Sequence, residues 1–187
     1  MKSFEQPPAA ASRSLVELTT TFNSPVTNRL LDYWDVLRCG SARPRLRDFD
    51  PMDIYDIAPT LIIRDRVDDG AEFRCRYWGT RLVHFFGFDA TGKLLKDCYA
   101  PDCAEVLRKR MLTAMNSEIP LRVAGIVHLV DTIVPRSYEA VWLGLDDDEG
   151  HPAHAMAVFD VDYKLTAEDN ARHEAATEAD AIVYSQA

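Results

Sequence analysis

The chain has 187 residues, 47% of them hydrophobic, with a formal net charge of -9 and a pI near 5.0. That suits one domain with a real core and terminal extensions, and leaves no room for a second large domain. Lys and Arg are scattered and not gathered on a stripe, which argues against nucleic acid and anionic membrane surfaces as direct partners.

No window approaches the ~20 consecutive apolar residues of a spanning helix, so no membrane insertion is expected. The start, M-K-S-F-E-Q-P-P, lacks the apolar run of a secretory signal. The four cysteines, Cys39, Cys75, Cys98 and Cys103, form no C-x-x-C pair, and the expectation is a cytoplasmic protein with reduced thiols.

Residues 1–23 are rich in Ala, Ser, Thr and Pro with little periodicity and read as a disordered tail. Ser24 then caps a helix with Pro25 in its first turn, and Leu30, Leu31, Trp34 and Leu37 recur at helical spacing until Cys39-Gly40 stops it. That apolar stripe either docks on the domain's own sheet or joins two subunits. Residues 41–59 hold three prolines around Met52, Ile54 and Ile57 and read as a tethered loop with one helical turn.

An apolar strand over 61–67, a turn at Asp68-Asp69-Gly70 and a second strand over 72–78 predict an antiparallel hairpin. In the second strand Phe73, Cys75 and Tyr77 alternate with Arg74 and Arg76, the period of a half-buried strand. The segment after it, Leu82 to Phe86, is closed by Gly87 and followed by Gly92, too short for a standing helix. It is expected to lie as a cover across a sheet, held by Leu82, Phe85, Phe86 and Phe88.

Farther on, Asp102 with Glu105 three residues later predicts a capped helix whose Leu107, Met111, Ala114 and Met115 face inward. Three strands come next, over 121–130, 137–145 and 154–163, the last two joined by an acidic turn at 146–150. Thr166 with Asp169 opens a final helix with a weak stripe of Ala171, Ala175, Ala179 and Ile182.

Periodicity alone gives a mixed α+β domain. A strand ending R-Y-W-G-T, followed by R-L-V-x-x-F-G-x-D-x-T-G-K, resembles the PAS (Per-Arnt-Sim) sensor superfamily, and within it a bacterial branch of small stand-alone proteins. The likeness runs over about residues 27–163, through L-L-D-Y-W-D-V-L-R (30–38), D-F-D-P-M-D-I (48–54), L-I-I-R-D (61–65) and Y-E-A-V-W-L-G-L (138–145). It implies a five-stranded antiparallel sheet with helices covering one face, plus N-terminal and C-terminal helices. The corresponding boundaries are a tail over 1–23, one domain over 24–163 and a C-terminal helix or tail over 164–187. The resemblance further implies a non-enzymatic sensory or signalling module that binds a small ligand, a protein partner or both, and that pairs as a homodimer through its terminal helices.

In such a fold Tyr77, Leu82, Phe85, Phe86, Met111, Met115, Ile126, Tyr138 and Trp142 converge between the sheet and its cover. They are either plain core or the lining of a small-ligand cavity, with Tyr138 and His84 as polar anchors. His84 and His128 are the candidates should the same cavity serve a small enzyme or carrier, or hold haem in a redox sensor. No cofactor is identified. Cys103, at a helix start, is a structural or a reactive thiol. The proline in His151-Pro152-Ala153-His154 argues against a zinc site there. The N-C-R-F-L-Q-like run of flavin-binding blue-light PAS domains is absent, as are a glycine-rich phosphate loop, G-x-S-x-G and H-E-x-x-H, so no catalytic or metal residue is expected.

Overall fold

A computed structural model of the chain describes residues 11–127, 129–130, 134–175 and 181–183. The first helix, α1 (Pro25–Arg38), forms as its sequence dictates: Ser24 Oγ accepts from the amides of Val26 and Thr27, and the left-handed Cys39 (φ 45°) ends it. The strands are β1 (Ala11–Leu18), β2 (Leu61–Val67), β3 (Glu72–Trp78), β4 (Leu121–Val127), β5 (Arg136–Asp146), β6 (Pro152–Asp160) and β7 (Ala181–Val183). Three further helices are α2 (Thr80–Phe86), α3 (Pro101–Asn116) and α4 (Ala167–Ala175).

All seven strands join one antiparallel sheet in the order β3-β2-β6-β5-β4-β1-β7. The five expected strands, β2 to β6, lie side by side, and two unexpected ones extend the edge at β4. The tail reading therefore fails for residues 11–18: β1 pairs Ser14–Leu18 with Leu121–Gly125, and Ser14 Oγ sits 3.0 Å from Tyr138 Oη. A strand with so little apolar contrast of its own is stabilised by the ladder it joins. Residues 1–10 lie outside the described residues. At the other end α4 is described over Ala167–Ala175, Ala179 lies outside the described residues, and Ile182 belongs to β7 and not to a helical stripe.

The covering helices lie on one face of the sheet, as expected, and the N-terminal helix docks on the other. On one face α2, α3 and the turn at Leu95–Asp97 bury Ile62, Phe73, Cys75, Trp78, Trp142 and Phe159. On the other, α1 packs on Ile63, Val141, Leu143 and Val158. The stripe of α1 is spent there: Trp34 is 2% exposed and its Nε1 donates to Gly144 O across 2.9 Å, so Leu30, Leu31 and Trp34 are not free to join subunits. Because β5 is sandwiched, its A-V-W-L-G-L run is apolar at successive positions.

Three short 3-10 turns occupy 46–60 where one was expected. The third helix starts at Pro101 with Ala100 as its cap; Asp102 sits in the first turn, where its charge favours the helix dipole, and does not cap. The expected second capping box is formed: Thr166 N donates to Asp169 Oδ2 and Asp169 N to Thr166 Oγ1.

The ladder between β2 and β3 is irregular at one point. Its register shifts between Ile63 and Arg64, so that Ile63 faces Tyr77 and Arg64 faces Cys75, with Arg76 as the extra residue of a bulge. The bulge breaks the alternation. Tyr77 turns to the α1 face, and Trp78 joins Cys75 and Phe73 under α2 and α3.

Candidate functional site

Under the cover lies a cavity of about 20 Å³. The sheet contributes Ile62 and Arg64 from β2, Trp78 from β3, Trp142 from β5 and Phe159 from β6. Phe86 of α2, Leu107 and Met111 of α3, and Leu95 and Tyr99 from the turn between them close it. The cover is held by aromatic contact, Trp78 meeting Phe86 at 5.7 Å and Phe88 at 5.6 Å between ring centroids.

Arg64 is the unusual wall. It is 1% exposed, its guanidinium carbon lies 5.8 Å from the rings of both Trp78 and Tyr99, and its Nη1 and Nη2 have no hydrogen-bond partner among the described residues. Trp78, on the same wall, likewise has a buried Nε1 without an acceptor among the described residues. The next carboxylate along the strand, Asp65, points to the other side and is engaged by Arg76 Nε at 2.7 Å and His154 Nδ1 at 2.8 Å. Burial pushes the Cys75 thiol up to about 11 and raises Cys98 and Tyr99 as well, even though Arg64 draws all three down. These neighbours stay neutral near pH 7, and sulfur is a weak acceptor. The site is thus a positive point in an apolar chamber, its guanidinium met by the weakly accepting Cys98 thiol and by no carboxylate hydrogen-bonded to Nη1 or Nη2 among the described residues.

Of the residues expected to gather here, Phe86, Met111 and Trp142 line the cavity. Leu82, Phe85, Met115 and Tyr138 are buried in the same core without bordering it, and Tyr138 directs its hydroxyl to Ser14. Tyr77 lies on the opposite face, with its Oη donating to Ala58 O. Ile126 is 41% exposed and His84 is exposed, so neither reaches the interior, and His84 is not a polar anchor. His128 lies outside the described residues. Arg64, Trp78 and Tyr99 were not anticipated. The one available signal was a cation inside the otherwise apolar run L-I-I-R, and strict alternation along β3 hid Trp78.

A second constellation binds the termini to the sheet. Arg122 donates from Nε to Glu139 Oε1 (2.6 Å) and from Nη1 to Glu17 (2.9 Å) and Asp169 (2.9 Å). Glu139 also accepts from Ser24 N and Thr27 Oγ1 at the start of α1, both at 2.7 Å. Although burial opposes it, hydrogen bonds to Asp169, Glu139 and Glu17 raise the Arg122 pKa. Burial likewise works against the Asp169 carboxylate, yet Arg122 and the Tyr163 hydroxyl hold it well below the usual range.

Among the described residues no group of three His, Cys, Asp or Glu side chains could hold a metal ion. Among the same residues no helix is long and apolar enough to cross a membrane.

A family model described as a PAS domain matches residues 22–154. No curated protein matches. Among solved structures, the chain is similar to the light state of the LOV domain of the blue-light photoreceptor Aureochrome1, at 12% identity and a TM-score of 0.41 over 66% of this chain and 94% of that one. It is also similar to an RNA-binding Light-Oxygen-Voltage receptor, at 9% identity and a TM-score of 0.44 over 90% of this chain and 42% of that one. A sensory box histidine kinase/response regulator from Burkholderia thailandensis matches at 12% identity and a TM-score of 0.33, over 67% of this chain and 91% of that one.

Proposed function

The chain belongs to the PAS domain family, and from that premise we propose that it is a non-enzymatic sensory module whose interior state is passed by contact to a protein partner. The observation that carries this reading is the double use of β5. Trp142 forms a cavity wall on one face, while its neighbours Val141 and Leu143 pack on α1 and Glu139 holds the start of that helix. A change in the cavity that moves β5 has α1 as its first recipient. The size of any such shift is bounded by the ligand's differential affinity for the two arrangements.

Flavin chemistry does not fit this interior, because the room an isoalloxazine needs is filled by Trp78, Phe86, Met111 and Trp142. The histidine-based alternatives, an enzyme or a haem sensor in the same cavity, lose His84, which faces away. A second reading, a protein-interaction module with a closed core, is favoured by the volume itself: about 20 Å³ holds one water or little more.

The test is mass spectrometry of small molecules released by denaturing the native full chain, joined to hydrogen exchange before release and after refolding without them. The sensory reading expects a released molecule and altered protection in both α2 and α1. Unaltered α1 protection rejects transmission, and an empty extract leaves the interaction module.

A further inference from the structure

We propose that the Arg64 cavity is a receptor for a small planar monoanion, a short carboxylate or an inorganic anion of the same shape, held by the Arg64 guanidinium and the Trp78 indole N–H. The proposal deepens the sensory reading and rests on it in one respect, that the interior is a ligand site. The chain itself shows how it buries an arginine used as a structural tie. Arg122, 4% exposed at its side chain, is met by Glu17, Glu139 and Asp169. Arg64 is buried at least as deeply and has no carboxylate hydrogen-bonded to Nη1 or Nη2 among the described residues. A buried guanidinium without a counter-charge is among the costliest arrangements an interior can hold. A water molecule can accept its hydrogen bonds and cannot cancel its charge.

The geometry narrows the anion. The guanidinium presents parallel donors that match two coplanar oxygens, which favours a carboxylate-like fork over a spherical ion. The unpartnered Trp78 Nε1 supplies a further donor on the same wall. Every other wall except the Tyr99 side is hydrocarbon, sulfur or indole face, so a second charge on the ligand would find no partner. With room for little more than one water, formate, the smallest carboxylate, is the anion nearest in size, and nitrate and each added methylene must displace Phe86 or Met111 further. That displacement would tie occupancy to the positions of α2 and α3. The bulge in β3 is what makes the site: without the extra residue, Trp78 would lie on the α1 face and Arg64 would lose its companion donor.

The experiment titrates the full chain at constant ionic strength, replacing sodium chloride with sodium formate, nitrate, acetate or propionate. Tryptophan fluorescence is followed, since Trp78 and Trp142 both line the cavity, together with the thermal midpoint. A saturable response to formate or acetate is expected, about a hundredfold weaker or absent in Arg64→Met and roughly tenfold weaker in Trp78→Phe. A response to the carboxylates alone assigns an organic acid, and one shared by nitrate assigns an oxyanion of either source; both support the proposal. Equal responses in wild type and Arg64→Met, or a wild-type response that never saturates and matches chloride, overturn it. Should Arg64→Met fail to fold, Arg64→Lys and Trp78→Phe carry the same comparison, because each keeps the bulk of the wall while removing the fork or the indole donor. An uncharged molecule released from the native chain, bound equally well by Arg64→Met, rejects the anion and leaves the sensory reading standing. An anion that binds through Arg64 without altering exchange in α1 does the reverse.

Discussion

Arg122 Nε donates to Glu139 Oε1 across 2.6 Å in a setting where the arginine side chain is 4% exposed and the glutamate 0%. The pair joins β4 to β5 and, through the amides of Asn23 and Ser24, fixes where α1 begins. Replacing the carboxylate by an amide leaves a buried guanidinium with Glu17 and Asp169 but short of its nearest carboxylate, and leaves the helix start one neutral oxygen where two charged ones stood. Glu139→Gln is expected to lose about 3 to 5 kcal/mol of unfolding free energy. Urea denaturation with an unchanged m-value checks it; a loss under about 1 kcal/mol would show that the pair contributes no more than a surface bridge.

Acid is expected to weaken the chain through Asp169. Its carboxylate titrates lower folded than unfolded, so its contribution is whole above the ordinary value near ~3.9 and is lost as the pH falls below that value toward the folded one. Glu17 adds to the same trend: burial raises it, but Arg122 and Arg172 outweigh burial and lower it. Unfolding free energies measured from about pH 6 to pH 3 should therefore decline, and decline less steeply in Asp169→Asn. Equal slopes in the two proteins would put the acid sensitivity elsewhere.

Gly79 is required for space. Its φ is -59°, which any residue adopts, but a Cβ there would stand 2.3 Å from Pro59 O and 2.5 Å from the Pro59 carbonyl carbon. Gly79→Ala must push the entry of α2 away from the loop before β2, at an expected cost of about 1 to 3 kcal/mol. A lowered thermal midpoint with altered Trp78 fluorescence is the predicted signature. A wild-type midpoint would mean that the backbone yields freely there.

Thiol chemistry should be confined to Cys39. It is exposed, whereas Cys75, Cys98 and Cys103 are buried. Burial pushes the Cys103 thiol up to about 12, outweighing the draw of Arg110, so the reactive-thiol alternative at the start of α3 does not survive. A disulfide reagent added to the native chain near pH 8 should titrate one thiol quickly and three more only after unfolding; Cys39→Ser should abolish the fast phase. A second fast thiol would indicate that α2 and α3 open readily.

Much of this architecture was legible from local chemistry. Ser24-Pro25 and Cys39-Gly40 mark the ends of α1, and the glycines around Leu82 to Phe86 reveal a segment too short to stand alone. What escaped were features decided by pairing. β1 has a neighbour instead of a pattern of its own, and α1 covers a face that only the sheet's closure defines. The site was legible in part, through Phe86, Met111 and Trp142. Alternation carried straight through Arg76 hides Trp78, because a single inserted residue reverses which side chains face inward, and Arg64 keeps the inward place that regular alternation along β2 assigns it although its charge argues against burial.

The same insertion bears on how the edge of the sheet is protected. As the outermost strand on its side, β3 is a natural template for recruiting another chain, but Arg74 and Arg76 stand exposed along it and its regular ladder is broken. Its outward backbone is partly used, since Gly92 N donates to Cys75 O at 2.8 Å and Cys75 N to Lys93 O at 2.9 Å. Two such rims brought together would have to pair over a mismatched ladder whose outward groups are partly taken, so the irregularity that builds the chamber also guards the sheet against runaway edge-to-edge stacking.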